Sequence, residues 1–209
     1  MDKVPFLCII SGERGVGKST FIYFTINMCQ KKGFLPVYVG LDHLNLQYST
    51  RPVYDIERSL MYEFGVKILD EILNSKARFF SDNKNMLMSL ARYLGLTYNE
   101  AGGFVPSGEP FRADFFELKR YLLAVLNLLS KANIPVLFCI DNLDKISKTT
   151  LESFFAGPFA QSFFDELKKA GVSLLIAVSS EFMQLRKIKD SLKYLSQTIN
   201  IPPISPAQA

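Results

Sequence analysis

Two stretches of this sequence hold polar residues in an order that could bind a phosphate group and a metal ion. The first, "GERGVGKST", has two glycines five residues apart, followed by a lysine and two hydroxyl residues. It matches G-x-x-x-x-G-K-[ST], in which the glycines let the backbone turn tightly around a phosphate, so that successive N–H groups point inward. We therefore predict a phosphate loop, whose residues are Gly12, Glu13, Arg14, Gly15, Val16, Gly17, Lys18, Ser19 and Thr20.

The second stretch, "VLFCIDNLDKI", supplies the acidic residue that such a loop requires for a metal. Residues 136–140 are apolar, and Asp141 follows them at the expected carboxyl end of a strand, where open α/β sheets bind their ligands. We expect Lys18 to contact the β- and γ-phosphates, and Ser19 and Asp141 to organise Mg²⁺. The alternative is that Asp141 is a solvated residue in a turn between a strand and a helix.

Composition argues against several other classes of protein. Of the 209 residues, 48% are apolar and 21% are charged, which allows a sizeable buried core and argues against global disorder. His43 is the only histidine, and Cys8, Cys29 and Cys139 lie far apart in apolar runs. We interpret the cysteines as reduced core residues, and we expect neither a structural zinc site nor a histidine triad.

Charge and hydropathy say little about partners. The net charge of +4 permits contact with nucleic acid but does not argue for it. No stretch reaches the roughly 18 apolar residues of a membrane span, and the start, "MDKVPFLCII", lacks the cleavage site of a signal peptide. We therefore expect a cytoplasmic protein.

The segments that must position these residues alternate between strand and helix patterns. Strands are predicted at residues 4–11, 35–42, 134–141, 172–180 and 198–201. Helical patterns occur at residues 17–32, 55–76, 85–94, 114–131 and 151–169. The alternation predicts an α/β fold of three layers, with a mostly parallel five-stranded sheet flanked by helices.

The chain between the second and third strands is long. We expect residues 44–133 to form a helical insertion within a single domain of residues 1–209. Inside it, "LTYNEAGGFVPSGEPFRAD" is rich in Gly and Pro, which predicts an exposed, mobile loop that engages a partner or shields the site. Asp114 and Glu117 fit a capping pair at the start of the next helix.

Four stretches together resemble the P-loop ATPases of the AAA+ and STAND group: "GERGVGKS", "LFCIDNLDKI", "LLIAVSS" and "INIPPISPAQA". The likeness is greatest to archaeal-type STAND ATPases, KAP-type ATPases and the ATPase cores of origin-recognition proteins, and it excludes residues 44–133. It implies a P-loop NTPase fold that binds ATP or ADP with Mg²⁺. In these families a polar residue after the next strand senses the γ-phosphate, a place that Ser179 or Ser180 matches.

Three departures from that group bear on catalysis. Those families usually follow the strand Asp with a glutamate that activates water, but here the neighbour is Asn142. Asp144 lies two residues further, as in the "DDLD" of KAP-type proteins, and is the candidate substitute; otherwise it is a helix-cap or turn residue. Ring-forming members often have an arginine where this chain has "KYLSQT"; Arg186 is the nearest candidate, unless it belongs to a basic helix face. The chain also stops where a helical lid would begin, so we expect the lid to be absent or truncated.

The sequence favours a Mg²⁺-dependent, slowly ATP-hydrolysing switch or motor domain. Its candidate catalytic residues are Lys18, Asp141, Asp144 and Ser179. A homo-oligomer or a protein partner would complete the site, and DNA stays open as a partner.

Three other functions remain alternatives. A nucleotide-binding scaffold without catalysis stays open because of Asn142. A P-loop kinase for a small molecule would need an arginine-rich lid or an Asp-Arg pair near Asp42, and neither is present. A GTPase would need N-K-x-D, but "NKNM" at residues 83–86 fails at the fourth position and "NLDK" has the wrong order.

Overall fold

The computed structural model describes residues 5–41, 52–100, 103–108, 115–184 and 197–202, which form strands and helices in alternation. The elements in chain order are β1 (Leu7–Gly12), α1 (Lys18–Lys31), β2 (Leu35–Gly40), α2 (Pro52–Ser75), α3 (Ala77–Asp82), α4 (Lys84–Tyr93), β3 (Leu96–Asn99), β4 (Gly103–Pro106), α5 (Phe115–Lys131), β5 (Val136–Asp141), a single turn of 3-10 helix (Leu143–Lys145), α6 (Lys148–Ala156), α7 (Pro158–Lys169), β6 (Val172–Ser179), α8 (Ser180–Met183) and β7 (Gln197–Asn200). No helix within these ranges is long and apolar enough to cross a membrane.

Five of the strands form one parallel sheet in the order β2-β5-β6-β1-β7. The predicted α/β fold is therefore confirmed, and the main sheet is wholly rather than mostly parallel. Every residue of β1, β5 and β6 is buried, which is why these strands read as continuous apolar runs. The four residues of β7, at one edge of the sheet, are exposed, whereas β2 at the other edge is mostly buried.

Helices cover both faces of the sheet, so the fold has three layers. On one face, α1 packs against a small cluster in which Cys8 and Cys139 are buried. On the other face, a larger core joins the sheet to α2, α5, α6 and α7, and the rings of Phe64 and Phe138 stack there with centroids 4.0 Å apart. Cys8, Cys29 and Cys139 are free thiols whose pKa values are raised, chiefly by burial. Cys8 and Cys139 are core residues as predicted, whereas Cys29 is only half-buried against the core.

The insertion contains the predicted helices and three elements that were not predicted, β3, β4 and α3. We predicted a mobile loop over residues 96–114, but β3 and β4 pair there as an antiparallel hairpin. This prediction was wrong for both strands because aromatic side chains within this Gly- and Pro-rich stretch pack against a neighbouring helix. Tyr98 and Phe104 pack against Phe80 of α3, itself a helix that the sequence did not predict. Asp114, the predicted cap of α5, lies outside the described residues.

The helical pattern at residues 151–169 divides into two helices. Gly157, between α6 and α7, has an extended backbone with φ −73° and ψ 152°, and Pro158 begins α7. A proline fits the first position of a helix, where its missing N–H costs no hydrogen bond, but it cannot continue the helix before it. Phenylalanines on both helices still reach one core, which explains the continuous pattern in the sequence.

Candidate functional site: the phosphate loop and its strand ends

The glycine loop joins the carboxyl end of β1 to the first turn of α1, as its motif requires. Gly15 and Gly17 have φ values of 82° and 94°, which residues with a Cβ rarely adopt. Gly12 is needed for a different reason. A Cβ there would lie 2.7 Å from Val16 Cγ2 and 2.9 Å from the carbonyl oxygen of Ile201, so the chain after β7 closes tightly over the loop.

Lys18 lies inside this loop with a buried side chain. Its Nζ donates to the carbonyl oxygens of Gly12, at 3.2 Å, and Glu13, at 2.8 Å. Within the described residues no side chain caps the start of α1, and no acidic residue occupies its first turn. A buried ammonium and an uncapped helix N-terminus thus meet in one place, and this combination fits a phosphate group.

Strand alternation brings the predicted metal and sensor residues to the same side of the sheet as α1. Successive side chains of a strand point to opposite faces of the sheet. A residue two positions after a member of the small cluster beneath α1 therefore lies on the same face as α1. The cluster members that set this parity are Ile10, Cys139 and Ala177. Asp141 and Ser179 therefore lie on that side at the strand ends, where Ser179 pairs with Gly12, and Ser19 stands in the first turn of α1.

Asp141 is buried, and both of its carboxylate oxygens accept hydrogen bonds. The Tyr38 hydroxyl donates to Oδ2 at 3.1 Å, and the Asn142 N–H donates to Oδ1 at 2.8 Å. Burial, the neighbouring Tyr23 and the charge of Asp141 raise the pKa of Tyr38 far above its usual value, so the hydroxyl keeps its proton. The Asp141 carboxylate is thus buried and hydrogen-bonded, so Asp141 is not the solvated turn residue of the alternative interpretation.

Asn142 occupies a special backbone position. Its φ is 62°, in the left-handed region, where asparagine is far more common than glutamate. The structure therefore supplies a backbone reason for an asparagine at this position.

Asp144 stands against the phosphate loop. Its Oδ2 lies 4.0 Å from Lys18 Nζ and 3.7 Å from Arg14 Nε, and the Arg14 guanidinium also donates to the Asp144 carbonyl oxygen. Asp144 is not the cap of the following helix: Ser147 is the N-cap of α6, and its hydroxyl accepts from the Thr150 N–H at 3.2 Å. The sequence did not predict the contacts with Arg14 and Lys18, which depend on how the turn after β5 folds over the loop.

The structure describes some of the remaining predicted residues and not others. Ser179 is buried at the end of β6, whereas Ser180 is the first residue of α8, so Ser179 is the better placed of the two beside the loop. Arg186 and most of "KYLSQT" lie outside the described residues, as do Asp42 and His43. Within the described ranges no three His, Cys, Asp or Glu side chains come together as a metal cluster.

Both side chains that are predicted to hold a metal at this site offer oxygen atoms. One hydroxyl, from Ser19, and one carboxylate, from Asp141, suit Mg²⁺, a hard cation that commonly takes one or two protein oxygens and completes its shell with phosphate oxygens and water. The chemistry of the donor set therefore fits Mg²⁺ together with a nucleotide.

No model of a protein family and no curated protein matches this sequence. Similar solved structures include the ORC2 protein of Aeropyrum pernix, in ADPNP–ADP complexes, with 14% identity and a TM-score of 0.47 over 95% of this chain and 42% of that chain. Cdc6p of Pyrobaculum aerophilum has 13% identity and a TM-score of 0.43 over 96% and 40% of the two chains. A KaiC-like protein of Pyrococcus horikoshii has 15% identity and a TM-score of 0.40 over 92% and 71%. The chain thus spans less than half the length of the first two proteins, and we base no functional assignment on likenesses this distant.

Proposed function

We propose that this chain binds ATP or ADP with Mg²⁺ in the phosphate loop and hydrolyses ATP slowly, as a switch or motor domain of the P-loop ATPase kind. One observation carries the proposal. The buried Lys18 ammonium lies at an uncapped helix start, inside a glycine loop. In this loop Gly12 has no space for a Cβ, and Gly15 and Gly17 have the positive φ values that favour glycine. Such a place stabilises an anion by charge and by N–H donors together.

In this proposal each residue has a limited task. Lys18 holds the β- and γ-phosphates, while Ser19 and Asp141 hold Mg²⁺, which neutralises phosphate charge when bound. Ser179 is the candidate sensor of the γ-phosphate, and Asp144 the candidate for positioning the attacking water. An amide at Asn142 cannot take a proton from that water, which is the reason to expect slow turnover.

A partner or a second copy of the chain would then complete the site. An arginine supplied from another chain to the transferring phosphoryl group is worth roughly 10³–10⁵ in rate. A homo-oligomer or a protein partner is therefore part of the proposal, and DNA is a candidate ligand of such an assembly.

A scaffold that binds nucleotide without hydrolysing it is the second candidate. It is favoured by the amide of Asn142, which cannot take a proton from water, and by the position of Asp144 against Lys18. Single-turnover hydrolysis of ATP separates the two functions, because a scaffold forms no ADP above the rate in buffer.

Thermal unfolding with nucleotide tests the proposal directly. A ligand at about 100 times its dissociation constant stabilises the folded state by roughly 2.7 kcal/mol, so Mg-ATP and Mg-ADP should raise the melting temperature. Lys18→Ala should abolish this increase, whereas Lys31→Ala, which removes the same charge from the other end of α1, should retain it. No increase for the wild-type chain at millimolar nucleotide would rule out the assignment.

A further inference from the structure

Tyr38 is the side chain that joins the proposed metal carboxylate to the helix that carries the other proposed metal ligand. It lies on β2 opposite Cys139, and its hydroxyl donates to Asp141 Oδ2 at 3.1 Å. On its other side, its ring stacks on that of Tyr23, with centroids 5.1 Å apart. Tyr23 follows Ser19 by four residues on α1, so the two lie on the same side of the helix.

Two hydrogen bonds leave Asp141 free to bind a cation while restricting its rotation. Each carboxylate oxygen has about two lone-pair sites, so one donor on each oxygen leaves the others for a cation or its water. Because the donors are the Tyr38 hydroxyl on Oδ2 and the Asn142 N–H on Oδ1, rotation of the carboxylate would break both bonds. Without the hydroxyl, the Asn142 N–H would be the one donor left to it among the residues that the structure describes.

We propose that Tyr38 is a positioning residue for magnesium: its hydroxyl orients Asp141, and its stacking on Tyr23 keeps that carboxylate in register with Ser19. The inference rests on the proposed function, since it concerns the metal that accompanies the nucleotide. Residues that orient metal ligands typically change metal affinity by roughly 10–100-fold when they are removed. Tyr38 acts on the metal through Asp141 and does not act as a catalytic residue.

The experiment separates binding of nucleotide from binding of its metal. For wild type and Tyr38→Phe, we would measure the dissociation constant of ATP in excess EDTA, and then the Mg²⁺ concentration that gives half of the nucleotide-dependent increase in melting temperature. We expect the EDTA value to change less than twofold, and the Mg²⁺ midpoint to rise about tenfold in Tyr38→Phe. Tyr98→Phe is the matched control, because it removes the same atom from the distant β3–β4 hairpin and should leave both values unchanged.

A second variant keeps the test decisive if Tyr38→Phe does not fold. Tyr23 is 51% exposed, so Tyr23→Leu should fold, and it removes the ring that stacks on Tyr38 together with the hydroxyl that neighbours it. We expect its Mg²⁺ midpoint to rise about threefold. Midpoints within twofold of the wild type in the variants that fold would overturn the inference and leave the proposed function intact. A wild-type chain that binds no nucleotide would overturn both.

Discussion

Replacing Asp144 by asparagine should tighten nucleotide binding, although the same change should slow hydrolysis. In the structure, Asp144 Oδ2 lies 4.0 Å from Lys18 Nζ, and the two side chains are only 16% and 9% exposed. The carboxylate therefore stands close to the charge that is proposed to receive the phosphates. Binding of nucleotide must compete with this attraction, and the phosphates and Asp144 must also repel each other.

The distance sets the scale of the effect. Two unit charges 4 Å apart interact by about 4 kcal/mol at an effective dielectric constant of 20. Only part of this is recovered, because water reaches Asp144 and Lys18 retains its two carbonyl partners. We expect about 1.4 kcal/mol, which corresponds to a roughly tenfold lower dissociation constant for Mg-ADP. Arg14 adds little, because its side chain is 75% exposed.

Titration calorimetry with Mg-ADP measures this change, and thermal unfolding without nucleotide provides a second readout of opposite sign. Asp144→Asn leaves Lys18 without its counter-charge, so the nucleotide-free variant should melt at a lower temperature than the wild type. Asp165→Asn is the matched control: it makes the same change of charge at an exposed residue of α7 and should leave the dissociation constant unchanged. An equal or weaker affinity in Asp144→Asn would refute the reasoning.

Two further predictions concern the loop and the turn after β5, and a third concerns the choice of base. Gly12→Ala should destabilise the fold by roughly 1–3 kcal/mol in urea unfolding, because its Cβ would lie 2.9 Å from the Ile201 carbonyl oxygen; an unchanged midpoint would contradict the packing described here. Asn142→Asp should speed single-turnover ATP hydrolysis at least about tenfold, because an aspartate tolerates a φ of 62° and supplies a base. Asn142→Glu should raise the rate less, because glutamate adopts this φ less readily. Equal rates in the wild type and both variants would place the base elsewhere. In competition binding, ATP should outcompete GTP because the guanine motif is incomplete at residues 83–86, and equal affinities would contradict this.

Features that depend on neighbouring residues were predictable. The five main strands lie close to their predicted bounds, and for β1, β5 and β6 the reason is that a strand buried on both faces must be apolar along its length. The phosphate loop was predictable for a similar reason: Gly15 and Gly17 take backbone angles that few other residues adopt, so the loop geometry is encoded locally. The break between α6 and α7 at Pro158 is also encoded locally. It was not predicted because the row of phenylalanines continues on both sides of it.

Contacts between residues far apart in the chain were not predictable. Tyr38 reads as one more residue of a buried strand, and only the pairing of β2 with β5 brings its hydroxyl to Asp141, 103 positions away. Asp144 reaches Lys18 because the turn after β5 folds over the loop that begins at the end of β1. Such contacts are decided by the strand order β2-β5-β6-β1-β7, which minimises exposed apolar surface over the whole chain, and no short stretch of residues carries that information.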